Sequence, residues 1–289
     1  MSGKTIIVTG AGGMLGSAFP DMYQNYNIIK YNKNDLDITD YREVKKRLDT
    51  VTPDIIIHTA AYTDVDACEK NPDNAYLINS LGTQNLVNYS INKEILFVYI
   101  SSTGIYGNKK KASYDEFDEV HPLTIHHKSK SEAETIIERH LNKYLIIRTG
   151  WLFGGSINHK KNFVYNRFLE AKENNEIYSN TEQIGNPTYV NELVKQIEVL
   201  IKSNQYGIFN CVNKADNVSR YDYVKHIIDK FELGTIVKPA NRNVFKRIAK
   251  VSNNESAINY KLDLLNLNIM KDWQEALDEY IFILKEEVL

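Results

Sequence analysis

The chain has 289 residues, 43% hydrophobic and 25% charged, a composition that buries a full core and excludes disorder as the main state. Lys and Arg number 35 against 37 Asp and Glu, for a formal charge of −2; that field is too weak to hold a polyanion, so no nucleic-acid partner is expected. Two cysteines, Cys68 and Cys211, stand far apart with no CxxC or Cys/His cluster, and with no signal-like or long apolar run the reading is a cytoplasmic protein without a membrane span.

Short apolar or β-branched runs at 5–8, 27–30, 54–57, 95–100 and 144–148 predict buried parallel strands. Between them, helical spacing covers 14–23, 41–48, 74–90 and roughly 122–141. This alternation predicts an α/β fold, a Rossmann-type doubly wound parallel sheet with helices on both faces. Beyond about residue 155 the pattern loosens into helices at 162–173, 189–202, 219–231 and 271–284, with a strand-like piece at 207–212. Residues 1–154 are read as the dinucleotide-binding domain and 155–289 as mostly a smaller C-terminal substrate-binding lobe. The stretch 189–212 is left open as a helix and strand returning to the sheet.

Directly after the first strand, Gly10, Gly13 and Gly16 punctuate the turn that opens a helix at Met14 and Leu15. Gly10 permits the tight turn, Gly13 lets backbone N–H groups approach a pyrophosphate, and Gly16 lets helix and strand pack closely. The strand–turn–helix context is what makes this a dinucleotide site rather than a plain Gly-rich turn. At the end of the second strand, where a carboxylate would specify NAD, stand Asn32 and Lys33. The expected cofactor is therefore NADPH or NADH.

The fourth strand ends in Ser101, Ser102 and Thr103, and a later helix carries His126 and Lys130 one turn apart. A hydroxyl at a strand end facing a Tyr-x-x-x-Lys helix is the working set of short-chain dehydrogenase/reductases. With these residues, the chain resembles the extended members, specifically the dTDP-4-dehydrorhamnose reductase family. The likeness includes 34–40, 60–69, 76–79, 148–154, Asn162-Phe163, 183–189 and 272–277, nearly the whole chain.

The resemblance implies reduction of the 4-keto group of a nucleotide-activated 6-deoxy sugar, for surface polysaccharide synthesis. It implies that Ser102 holds the ketone oxygen and that Lys130 holds the nicotinamide ribose. Thr103, Trp151 and Gln183 would line the sugar pocket. Gly10, Gly13, Met14, Leu15, Gly16, Asn32, Lys33, Asp37, Ile38, Ala60, Ala61, Tyr62 and Asn79 would surround the cofactor. A homodimer is admitted.

The departure is His126, where the family pattern has tyrosine. Three readings stay open: an active imidazole acid, a site that binds without turnover, or a shifted register in which Tyr106 reaches in. Accordingly, a catalytically silent NAD(P)-binding regulatory subunit and a nucleotide-sugar epimerase remain as alternatives. Ser17-Ala18-Phe19 lacks the glutamate through which some relatives bind magnesium, so no metal is expected. His127 is read as a surface helix residue, His58 as a packed core-edge histidine and Lys109–Lys111 as a solvated loop. Arg220 stands where the family usually has an aromatic, which bears on the sugar's identity.

Overall fold

The computed structural model describes residues 3–19, 26–245 and 247–288. Six parallel strands form the central sheet in the order β2-β1-β3-β4-β5-β9: β1 Lys4–Thr9, β2 Tyr26–Tyr31, β3 Ile55–His58, β4 Leu96–Ser102, β5 Tyr144–Thr149 and β9 Gly207–Asn210. Side chains alternate across a strand, and the sequence supplies apolar groups at both parities. Ile6, Val8, Ile55, Ile57, Val98, Ile100, Leu145 and Ile147 pack into one core. Ile7, Ile56, Phe97, Tyr99 and Ile146 pack into the other. Burial on both faces is why these strands read as continuous apolar runs rather than alternating ones.

Helices α1 Met14–Ala18 and α2 Tyr41–Val51 follow the first two strands, and α3 Val65–Lys70, α4 Pro72–Tyr76 and α5 Gly82–Ser90 follow the third. The α2 start is set by Asp40, whose carboxylate accepts from Arg42 N at 2.8 Å. Of the helix expected at 14–23, Met14–Ala18 is α-helical, and residues 20–25 lie outside the described residues. The helix expected at 74–90 is interrupted by a π-helical turn, Leu77–Leu81. That turn holds Asn79, which it directs onto the loop after β3.

The helix α6 Ile125–His140 runs beside β4 and β5 and starts at Thr124, whose hydroxyl accepts from His127 N at 3.2 Å. The remaining elements are β6 Leu152–Phe153, α7 Phe163–Glu173, β7 Glu176–Asn180, β8 Thr188–Tyr189, α8 Val190–Ser203, α9 Arg220–Phe231, β10 Ile236–Ala240, α10 Tyr260–Leu264 and α11 Trp273–Val288. Strand β9 pairs with β5, while β7 pairs with β10 and β6 with β8 as two small parallel sheets. No helix among the described residues is long and apolar enough to cross a membrane.

The chain leaves β1 for β2 on one side and returns to β3 on the other. A crevice therefore opens at the carboxyl ends of β1 and β3, the place where open α/β sheets bind ligands.

Candidate active site

A cleft of about 1450 Å³ occupies that crevice. A pocket for one drug-sized ligand takes about 300–1,000 Å³, so this cleft has room for two ligands side by side. Its floor is the turn after β1. Gly10 has φ +70°, and a Cβ there would come within 2.6 Å of Ala60 N. A Cβ on Gly16 would lie 2.3 Å from Gly10 O, whereas a Cβ on Gly12 would meet nothing nearer than 3.9 Å. The turn thus packs tightly against its own strand and helix and leaves bare backbone on the cleft side, the surface that a pyrophosphate needs. The residues fit a dinucleotide.

Met14, Leu15, Asn32, Lys33, Asp37, Ile38, Ala60, Ala61 and Tyr62 line the same cleft. Thr39 holds the Asp37 carboxyl below its usual range through its hydroxyl, at 2.7 Å, and its N–H, at 2.9 Å. A carboxylate therefore does stand in this wall near Lys33, one turn later than the position at the end of β2. Asn79 is brought near but lies behind the wall. Its Oδ1 accepts from Tyr62 N at 2.8 Å, and its Nδ2 donates to Ser129 Oγ at 2.9 Å.

Ser102, His126, Lys130, Trp151 and Gln183 also come together on the cleft. The Ser102 oxygen accepts from Gly104 N at 3.2 Å, which leaves its O–H free to donate to a ligand. Lys130 Nζ donates to Ile100 O at 2.7 Å and sits 4.5 Å from the centre of the Tyr99 ring. Burial pushes this amine down to about 7. Trp151, with φ 45°, donates from Nε1 to Glu255 Oε2 at 2.9 Å. Thr103 lies beneath the cleft, fully buried, where its hydroxyl abuts Gly150.

His126 Nδ1 lies 3.0 Å from Tyr62 O. A carbonyl only accepts, so Nδ1 carries the ring proton and Nε2 is left as an acceptor without a protein partner among the described residues. Burial, then the neighbouring His127 and Lys130, holds its pKa well below the ordinary value. The resting group is a neutral imidazole.

Four expectations are resolved by packing. His127 is not a surface residue: it is 5% exposed, its Nδ1 pairs with Thr124 Oγ1 at 3.0 Å, and its ring fills the space over Gly104. Helix α6 is covered on this side by the turn after β4, which periodicity on one helix cannot reveal. Tyr106 does not enter the cleft; its hydroxyl is buried between Asn210 at 2.8 Å and Arg148 at 3.1 Å. His58 is fully buried, between Thr9 Oγ1 at 2.7 Å and Thr83 Oγ1 at 3.0 Å. Lys109–Lys111 lie outside the cleft, with Lys110 paired to Asp118 at 2.6 Å.

Residues that sequence reasoning left out of the site also line it: Lys160, Lys161, Phe163, Asn166, Arg247 and Glu255. Phe163 stands within the family likeness noted above; the only sequence signal of the others was membership of the second lobe. Arg220, singled out as unusual, lines it too.

Fold and cleft together define a dinucleotide-binding protein of the short-chain dehydrogenase/reductase type. The family model described as RmlD substrate binding domain matches residues 4–285. The chain belongs to that family, the dTDP-4-dehydrorhamnose reductases. A dTDP-4-dehydrorhamnose reductase from Clostridium acetobutylicum is 33% identical, covers 97% of this chain and 99% of its own, and superposes with a TM-score of 0.93. The dTDP-4-dehydrorhamnose reductase of Bacillus anthracis, solved in complex with NADP, is 33% identical over 97% of this chain and 99% of its own, with a TM-score of 0.92. The spore coat polysaccharide biosynthesis protein SpsK of Bacillus subtilis is 32% identical over 234 residues, 80% of this chain and 81% of that protein.

Proposed function

We propose that the protein is an NADPH-dependent reductase of a nucleotide-activated 4-keto-6-deoxy sugar in deoxysugar and polysaccharide biosynthesis, with NADH as the second candidate cofactor. The observation that carries this reading is the convergence of Ser102, His126 and Lys130 on a cleft that begins at the glycine turn and is large enough for cofactor and sugar together.

When bound, the reduced dinucleotide supplies the hydride for the ketone carbon. The chain does the rest. Gly10, Gly13 and Gly16, with Met14 and Leu15, present the phosphate-facing backbone. Asn32 and Lys33 face the adenosine ribose, with Asp37 and Ile38 beside them, and the Lys33 ammonium favours a 2′-phosphate. Ala60, Ala61 and Tyr62 form the wall beyond. Lys130, anchored by Ile100 O, orients the nicotinamide ribose, and Ser102 donates a hydrogen bond to the ketone oxygen.

The acid is His126. Its Nε2 must first take up a proton to become a donor, and Tyr62 O, which already holds Nδ1–H, stabilises the imidazolium so formed. Asn79 fixes the Tyr62 peptide and so positions this carbonyl. Trp151 and Gln183 line the sugar side, with Thr103 supporting from beneath. In this reading residues 1–154 hold the cofactor and 155–289 mostly the substrate, with β9 completing the sheet. The buried, unpaired thiols of Cys68 and Cys211 suit work in the cytoplasm.

The test is oxidation of NADPH and NADH by the purified protein given dTDP-4-dehydrorhamnose, across pH, with His126→Phe alongside. Turnover that disappears in the variant supports the reductase with a histidine acid. Cofactor binding without turnover by the folded protein would favour the silent binding subunit or a different nucleotide sugar.

A further inference from the structure

The reduction employs Ser102, His126 and Lys130 and leaves several cations of the cleft without a role, Arg220 among them. Arg220 opens α9, and its backbone N–H donates to Gln183 O at 3.0 Å. Its guanidinium carbon lies 3.5 Å from the centre of the Trp151 ring and 5.1 Å from that of Phe163. A cation seated over rings in this way is held without using its N–H groups. Those donors make no hydrogen bond or ion pair with any of the described residues.

One carboxylate acts on it without bonding to it. Glu255, whose field favours the charged guanidinium, has Oε2 taken by Trp151 Nε1. Further positive charge comes from Arg247 and Arg167, both of which act on Arg220, and from Lys160 and Lys161 in the cleft wall. Burial lowers Arg220 only to about 10, so it is a cation at neutral pH. Arg220 is half-buried, so its donors face the open cleft with no protein acceptor and are available to a ligand that brings acceptor oxygens.

We propose that Arg220, held over the Trp151 ring, binds an oxyanion of the nucleotide-sugar substrate: its diphosphate or a carboxylate carried by the sugar. The proposal deepens the reading of the cleft as a nucleotide-sugar site and rests on it. Both sources offer paired oxygens to a guanidinium, the geometry in which Arg gains two parallel hydrogen bonds.

The experiment is calorimetric titration of the full chain with dTDP, thymidine, dTDP-glucose and a dTDP-linked glucuronate, for wild type, Arg220→Gln and Arg220→Lys, with NADPH binding measured in each. Loss of at least tenfold in dTDP affinity in Arg220→Gln, with thymidine and NADPH unchanged and partial recovery in Arg220→Lys, supports the diphosphate as the bound group. Unchanged dTDP binding, with the glucuronate losing its advantage over dTDP-glucose, supports the sugar carboxylate. Affinities within twofold of wild type for every ligand would overturn the proposal. Should Arg220→Gln fail to fold, Arg220→Trp, which keeps a ring-packing surface beside Trp151 and Phe163, decides by the same criteria. If wild type binds dTDP through Arg220 but does not bind NADPH, the reductase reading falls and the Arg220 site stands.

Discussion

The Nδ1–H of His126 donates to the carbonyl oxygen of Tyr62 across 3.0 Å, and this one hydrogen bond decides which ring nitrogen is offered to the cleft. Nε2 is an acceptor at rest and a donor only after protonation. Because burial holds the pKa well below the ordinary 6.5, the donating form is scarce at neutral pH and grows as pH falls. Turnover in the reduction direction should therefore rise from pH 8 toward pH 6. His126→Phe should lose about 10²–10⁴-fold, the usual worth of a positioned acid. His126→Tyr, whose phenol stays protonated to about pH 10, should flatten the profile and exceed wild type at pH 8. Wild-type turnover in His126→Phe would remove His126 from the chemistry.

Lys130 donates to Ile100 O and is surrounded by buried groups, so its ammonium is held by geometry rather than by water. Its pKa, lowered to about 7 by burial, means that the charged form is present below pH 7 and is lost as pH rises through that value. Lys130→Met should raise the KM for the cofactor and lower turnover by about 10²-fold or more. In wild type, the cofactor KM should climb above pH 7 and in the variant it should not. Parallel pH profiles in the two proteins would count against the assignment.

Gly16→Ala tests the floor of the cleft. The new Cβ would lie 2.3 Å from Gly10 O, a backbone atom that cannot swing aside. Helix α1 must shift, which should cost about 1–3 kcal/mol of stability by overpacking and weaken NADPH by at least tenfold. Equilibrium unfolding and a fluorescence titration measure the two effects. Gly12→Ala, with open space around its Cβ, is the control that should leave stability nearly unchanged.

The scaffold beneath the site is tied by Arg148 and Glu134, 4–5% exposed, which make two hydrogen bonds at 2.7 Å and 3.2 Å. Removing one partner strands a buried charge. Arg148→Met should destabilise the fold by about 3–5 kcal/mol, read from urea denaturation. A change within about 1 kcal/mol would mean that Tyr106 and water meet the charge left on Glu134.

His58 makes stability depend on acid. Burial, then Lys130, lowers it to about 3, whereas in the unfolded chain it titrates near 6.5. The unfolded state therefore takes up a proton below pH 6.5 that the folded state refuses, so stability is fully present above that pH and is lost as pH falls from 6.5 toward 3. At pH 5 the loss from this residue is about 2 kcal/mol. The difference in unfolding free energy between pH 7 and pH 5 should shrink by about that amount in His58→Asn. An unchanged difference would place the acid sensitivity elsewhere.

The sequence by itself determined the sheet, its glycine turn and most of the candidate site. Doubly buried strands are short apolar runs, and Gly10, Gly13 and Gly16 answer to local backbone geometry, so both are legible within a few residues. The spacing of His126 and Lys130 is likewise local, since one helical turn separates them. Tertiary structure decided the rest, because it depends on which elements cover one another. The imidazole tautomer follows from Tyr62, 64 residues away in sequence. The burial of His127 follows from the turn that carries Gly104. The free guanidinium of Arg220 was visible as an odd residue, but its stack on Trp151 and the prior engagement of Glu255 arise only when α9 closes over the end of β5. Hydrogen-bond partners and desolvation are properties of that packing, and no periodicity in the chain records them.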